Sequence, residues 1–502
     1  MVHLLLRNIL FYTIAMSTPY PDWVLAQRRK GTAIHQIKGY YYLYEVSSKW
    51  DPVKKRPRRI TGKLLGRIRP EGLSPSGQKT SRRAIAQQER LRQLTVKEYG
   101  ISHFIQTSLK PYLDRLAKHF PNEWQGLVLL AYCRLVHQSS IKQMPFHIAH
   151  SYLSETFSQL SLTDKNISLL LKDIGRQRER VCNFMKQSLE PGEHLLLDMT
   201  NIPSKSERIA LSQPGYNSNW DFGPQFNLFY VYSTNLQAPV FYRLLPGNIR
   251  EVTALKLTVL ESGANQCVMV ADKGFYSLAN IGQLEADHLH YIIPMRRDNA
   301  LIDYSLVEEH AIKSGSSFFS FEKRFIWHTS YAVPGTGRRI FLFLDDVLKN
   351  KEQSDYLSRI GTSCEGYSLE KFHLKRQAFG TIAIVSDLVD KTPEEVYTAY
   401  KTRMSIETVF DAMKTVLEAD RTYMQQEEVL QGWMFVNHIA LQWYYQLYHL
   451  LVRLKQIKKY SVKDLLSHLQ EIRMVKIDGQ WHRAEIIKAS QQLLDKINLP
   501  IA

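Results

Sequence analysis

The 502-residue chain predicts an α/β fold, in which a mixed sheet carries a β-rich insertion and is flanked by helical regions on both sides. Three observations lead there. From Pro191 onward, short apolar runs bounded by turn residues alternate with helical periodicity. Two of those runs, "HLLLDMT" (194–200) and "CVMVAD" (267–272), close on an aspartate. Residues 82–190 and the stretch after about 425 have helical periodicity without a strong strand signal.

The elements follow in order. The opening "MVHLLLRNILFYTIAM" is apolar but interrupted by Arg7 and Asn8, and no Ala-x-Ala pattern follows it. It falls short of the ~20 apolar residues that span a bilayer and reads as non-targeting, with Met1 and Met16 both eligible as the start. "GYYYLYEVSSKWDPVKKRPRRITGKLLGRI" (39–68) predicts two strands joined at Asp51-Pro52. Between Lys54 and Arg69 there are eight Lys or Arg and no acid, so this hairpin is either a seat for DNA phosphates or a solvated basic loop. "PEGLSPSGQKTS" (70–81) predicts a linker that closes a segment 1–81. Within the helical region 82–190, residues 160–187 combine an N-cap at Thr163 or Asp164, an apolar stripe and a basic run. A helix-turn-helix and a plain helical hairpin both fit that pattern.

The α/β part covers 191–298 and 379–424. "QFNLFYVYS" (225–233), "APVFYRLL" (238–245), "HYIIPMRR" (290–297) and "GTIAIVSD" (380–387) predict strands, and 250–262 and 277–287 predict helices. Residues 299–378, rich in aromatic and β-branched side chains, form the predicted β-rich insertion. Residues 425–502 form a helical C-terminal region.

Composition narrows the partners. Lys and Arg outnumber Asp and Glu by 65 to 48, a net charge of +17, which calls for a polyanion, either nucleic acid or an anionic membrane. No segment is long and apolar enough to predict a membrane span, so nucleic acid is favoured. The four cysteines are scattered and form no CxxC pair, which excludes a disulfide framework and a cysteine zinc site and predicts a reducing compartment.

Asp198 and Asp272 each follow an apolar run of the kind that is buried on both faces, which puts them at a sheet rim, where open α/β folds hold ligands. Either could instead be a turn or capping aspartate. In "YKTRMSIETVFDAMK" (400–414), helical geometry puts Tyr400, Arg403, Glu407 and Lys414 on one stripe beside the apolar stripe Ile406, Phe410, Met413 and Leu417. The plain alternative is an i,i+4 ion pair between Arg403 and Glu407. Three converging carboxylates repel one another unless a cation compensates them. Mg²⁺, with Mn²⁺ able to substitute, takes oxygen ligands and leaves positions for water and phosphate.

The spacing Y400-(2)-R403-(3)-E407-(6)-K414 resembles the Y-R-E-K signature of bacterial insertion-sequence transposases of the DDE class. "LLLDMT" and "VMVADKGFYS" resemble their two aspartate motifs, and Asp198, Asp272 and Glu407 lie 74 and 135 residues apart in the order D, D, E. The resemblance implies a ribonuclease-H-like catalytic domain with a β-rich insertion in the long second gap. It implies that Asp198, Asp272 and Glu407 are catalytic and bind the metal, and that Tyr400, Arg403 and Lys414 contact DNA. It further implies cut-and-paste movement: binding of terminal inverted repeats in double-stranded DNA, pairing of two ends by a homodimer, Mg²⁺-dependent cleavage, then strand transfer into target DNA. The expected location is the bacterial cytoplasm, at the nucleoid. Trp327, in "FIWHTS", is by position a candidate to hold a flipped base, or else a packed tryptophan. The alternatives are a metal-dependent nuclease without strand transfer and a catalytically inactive DNA-binding derivative.

Overall fold

The computed structural model describes residues 20–52, 54–76, 94–190, 193–204, 206–215, 223–249, 251–263, 268–307, 312–313, 317–417 and 424–501. The opening apolar stretch lies outside them, apart from its neighbours from Tyr20 on. Two compact units are present: 1–95 with 477–479, and the remainder.

The first unit contains a four-stranded antiparallel sheet in the order β1 (Thr32–Ile37), β2 (Tyr40–Asp51), β3 (Arg56–Arg69), β4 (Gly72–Pro75). Part of the expected linker is thus a strand. Gly66 permits it, because a Cβ there would overlap the Ser74 carbonyl across the β3–β4 pair. The apolar core is small: Val24, Leu43 and Ile68. The distal half of the β2–β3 ribbon therefore projects with both faces exposed. Asp51 stands opposite Arg56, Lys49 opposite Arg58 and Ser48 opposite Arg59. Lys49 and Arg58 are like charges in direct cross-strand register, an arrangement that costs free energy without a neutralising partner.

The second unit is built on a ten-stranded sheet. Its strands are β6 (His194–Pro203), β7 (Gln213–Pro214), β8 (Pro224–Ser233), β9 (Ala238–Pro246), β10 (Val268–Val270), β11 (His290–Pro294), β12 (Phe318–Phe321), β13 (Arg324–Ala332), β14 (Arg339–Asp345) and β15 (Thr381–Ser386). The order is β12-β13-β14-β15-β11-β10-β6-β8-β7, with β9 also on β8. The core five, β9-β8-β6-β10-β11, have β8 antiparallel to β6 and β9, and β6, β10 and β11 mutually parallel, which is the ribonuclease-H-like arrangement. Every residue of β8 after Pro224 is buried, as expected of a strand covered on both faces.

Inserted strands β12–β14 do not form a separate β domain. They extend the catalytic sheet, because β14 pairs with β15, which pairs in turn with β11. The later part of the insertion is helical, at Asp346–Gly361 and Leu369–Lys375. The Asp345 carboxylate caps the first of these by accepting from the amides of Val347 and Leu348.

Helices cover the sheet. Asp164–Arg176 and Arg178–Lys186 are separated by one residue and bury Ile167, Leu171, Ile174, Val181, Cys182, Phe184 and Met185. Both helices pack into the main core, with the break between them at Gln177. Asp164–Arg176 crosses the long helix Glu427–Arg453 at backbone contact: a Cβ on Gly175 would overlap the Glu428 carbonyl, and one on Gly432 the Leu171 carbonyl. His438 of the long helix lies against Tyr230 of β8 and Tyr242 of β9, so helices and sheet share one continuous core. A small sheet in the order β17 (Gln480–Arg483), β16 (Arg473–Ile477), β5 (Thr95–Glu98) completes the strands.

Candidate active site

Register brings the two aspartates together. Val270, the last residue of β10, is paired with Leu196 of β6. Asp198 and Asp272 each stand two residues beyond that pair, side by side where the parallel part of the sheet ends. Asp198 was expected at the end of its strand. β6 instead runs on to Pro203, paired only with β8, so the rim at Asp198 is made by the end of β10. Leu195, Leu196 and Leu197 bury the strand up to that point. Each aspartate gives one oxygen to the next backbone amide: Asp198 Oδ1 accepts from Met199 at 2.8 Å and Asp272 Oδ1 from Lys273 at 2.5 Å. The second oxygen of each is thereby aimed away from the chain.

Glu407 arrives on a separate element. The segment expected as one helix from 400 to 414 is broken into Pro393–Lys401, Met404–Asp411 and a π-turn at Ala412–Val416. The Thr402 hydroxyl donates back to the carbonyls of Thr398 and Ala399, a contact that bends helices. Ile406, Val409 and Phe410 are buried, with Phe410 against Tyr230, and this seats Glu407 over the sheet rim. π-turns recur at functional sites because they redirect the residues that follow. Here the turn carries Lys414, which is exposed and, among the described residues, makes no ion pair with the acids.

Arg403 stands at the bend. Its Nη2 lies 3.6 Å from Asp198 Oδ2 and 3.6 Å from Asp272 Oδ2, and its Nη1 3.2 Å from Glu407 Oε1. The i,i+4 pair with Glu407 is real, but it is one of three. All three predicted acids therefore converge on one guanidinium, itself only 12% exposed. Its Nε is buried without a hydrogen-bond partner, so its ion pairs to the acids come from the two Nη groups. Tyr400 lies half-buried beside this cluster. Burial raises its phenol pKa; Arg403 opposes the rise and Asp272 and Glu407 add to it, so it remains a hydrogen-bond donor at neutral pH.

Three carboxylates are the hard-oxygen donor set that a divalent ion of the Mg²⁺ class takes. As placed, they do not form a closed cage. The Asp198 and Asp272 Oδ2 atoms, each 3.6 Å from the same nitrogen, are up to 7.2 Å apart, and among the described residues no group of three acids, histidines or cysteines is placed to hold one ion. The Arg403 fork stands among them, within 3.6 Å of one oxygen of each. Arg403 thus lies beside the acids, as expected, with its fork paired to them.

Trp327, on β13, donates from its indole nitrogen to Asp346 at 3.2 Å and packs against Phe318. It is partly buried at the edge of the core.

Residues 190–443 match the family described as "Transposase DDE domain". The chain belongs to this family. It is thus a transposase of the DDE class, in a family of DNA-cleaving phosphoryl-transfer enzymes that generally use divalent metal ions. No curated protein matches the chain. Among solved structures, the synaptic complex of piggyBac transposase with hairpin DNA, determined by cryo-EM, aligns over 68% of each chain at 11% identity and a TM-score of 0.36, too slight a likeness to bear on this transposase. Among its described residues no helix is long and apolar enough to cross a membrane.

Sequence reasoning missed Arg134. This buried arginine donates from Nε to Asn437 Oδ1 at 2.9 Å, from Nη1 to the Ser139 carbonyl at 3.0 Å and from Nη2 to the Leu417 carbonyl. It ties the end of the π-turn to the helices Trp124–His137 and Glu427–Arg453. The only signal in the sequence was an arginine inside the otherwise apolar run "LVLLAYCRLV".

Proposed function

We propose that this transposase binds the terminal inverted repeats of an insertion sequence, pairs two ends as a homodimer, and cleaves and joins strands by a cut-and-paste route with Mg²⁺. One observation carries the reading: Asp198, Asp272 and Glu407, distant in sequence, all lie within 3.6 Å of one guanidinium at the rim of the family's catalytic sheet.

In this mechanism Asp198 and Asp272 are the rigid side of the site, fixed by the strands behind them and by their bonds to the following amides. Glu407 is the adjustable side, carried on a short helix. When bound, Mg²⁺ supplies Lewis-acid stabilisation of charge on the scissile phosphate and lowers the pKa of the attacking water or 3′-hydroxyl. Tyr400 donates to a phosphate oxygen, and Lys414, exposed on the π-turn, pairs with a phosphate beside the cut. The exposed β2–β3 ribbon places Arg56, Arg58 and Arg59 on duplex DNA, whose phosphates remove the like-charge repulsion between Lys49 and Arg58. A two-stranded ribbon is of a size that enters the major groove.

Incubation with duplexes carrying the element's ends and Mg²⁺ is expected to yield nicked ends and joined products; nicks without joined products would leave a nuclease in place of a transposase. Replacing Arg56, Arg58 and Arg59 together by glutamine is expected to weaken end binding and to flatten the log–log salt dependence by ~0.9 for every phosphate that these arginines neutralise. An unchanged slope in a salt titration would remove the ribbon from the interface.

A further inference from the structure

The three carboxylates that would hold a metal are paired with a positive charge of the protein's own. An arginine serving only a phosphate on an open surface would present its fork to solvent. Arg403 turns its fork inward, with Nη2 shared between Asp198 and Asp272 and Nη1 on Glu407. The bend at Thr402 makes this geometry possible. The side chain leaves from a turn whose amide donates to the Tyr400 carbonyl three residues back, instead of from a regular helical stripe. Its Nε finds no acceptor, so no hydrogen bond from that nitrogen adds to the hold of the Nη groups. The carboxylates are 26%, 48% and 46% exposed, so an ion can reach them from solvent. A divalent ion and a guanidinium cannot both sit among the same oxygens, because like charges in contact repel.

We propose that Arg403 is an internal counter-cation that competes with the metal for this site. It gathers the acids before metal arrives, yields its place to the ion, and in yielding turns its fork outward to a DNA phosphate. This is a positioning role and rests on the reading of Asp198, Asp272 and Glu407 as metal ligands. No covalent bond changes in the exchange: three ion pairs break, the carboxylate oxygens pass to the metal, and the guanidinium passes to a phosphate oxygen.

The test is calorimetric titration of Mn²⁺ into the full chain without DNA, comparing wild type with Arg403→Gln, Arg403→Lys, Lys414→Gln and Asp272→Ala. Competition predicts that Arg403→Gln binds Mn²⁺ about tenfold or more tightly than wild type, a gain of ~1.4 kcal/mol. Arg403→Lys, which keeps the charge, should stay near wild type. Lys414→Gln, which removes a charge from the next turns of the same segment, should also match wild type, which excludes a general field effect. A metal-free unfolding midpoint lower in Arg403→Gln than in wild type, and raised more by Mn²⁺, would agree. Equal or weaker Mn²⁺ binding by Arg403→Gln overturns the competition, and if Asp272→Ala still abolishes binding the ligand assignment survives that result. Binding unaffected by Asp272→Ala overturns the ligand assignment, and the role of Arg403 falls with it.

Discussion

Alanine at Asp198, Asp272 or Glu407 is expected to lower strand cleavage by at least about 10³-fold while leaving end binding within a few-fold of wild type. The size follows from the task given to the acids: losing one metal ligand forfeits several kcal/mol of transition-state charge stabilisation, and ~1.4 kcal/mol is tenfold in rate. The separation of the two readouts follows from the architecture. Most of the phosphate contacts are assigned to the β2–β3 ribbon, Tyr400 and Lys414, which among the described residues make no ion pair with the carboxylates; Arg403 alone pairs with them and turns to phosphate only once the metal is bound. Stability should change little, because each acid is at least a quarter exposed and contributes one partly solvated ion pair with Arg403, worth about 1 kcal/mol or less. Cleavage and mobility-shift assays on the same preparations check both halves. Near wild-type cleavage by any one variant would remove that residue from the catalytic set.

The second large effect is on stability. Arg134→Ala is expected to destabilise the catalytic unit by about 3–5 kcal/mol, because it leaves three buried acceptors without a donor at roughly 1–3 kcal/mol each. Arg134 is 3% exposed, and its guanidinium lies 4.7 Å from the Trp433 ring centre. Alanine would strand the Leu417 and Ser139 carbonyls and the Asn437 amide oxygen away from water, and leave a void beneath the indole. Arg134→Met fills most of the void without supplying a donor, so it should recover only part of the loss. Denaturant midpoints of the three proteins measure this, and a shift under 1 kcal/mol for alanine would refute it. Because Leu417 closes the π-turn that follows Glu407, both variants should also cleave more slowly than their residual folded fraction explains.

The central sheet was legible because its strands are covered on both faces. β6, β8, β9 and β10 read as largely apolar runs, with few polar residues in them. The acids were legible for the same reason: an apolar run that stops at an aspartate marks where burial ends. Other features depend on contacts that no local pattern encodes. That β14 would pair with β15, and so extend the catalytic sheet, is decided between segments about 40 residues apart. Helices after Asp345 were masked by the aromatic and β-branched residues around them, although the Asp345 cap and the run "KNKEQ" pointed to a helix. Arg403 was placed beside the acids, and its pair with Glu407 was legible from the i,i+4 spacing, but its pairing with Asp198 and Asp272 was not, because those contacts join segments that periodicity cannot relate. Arg134 reaches a partner 303 residues away. Gly175 and Gly432 were ordinary helix residues until the two backbones were seen to touch.

The delivery of Glu407 on a late element has a consequence for the newborn chain. On the ribosome, the aspartates and the basic ribbon emerge long before residue 407 and the long helix behind it. If the ribbon seats DNA and Glu407 is a metal ligand, as proposed, a product that ends before residue 407 would bind DNA without being able to cleave it.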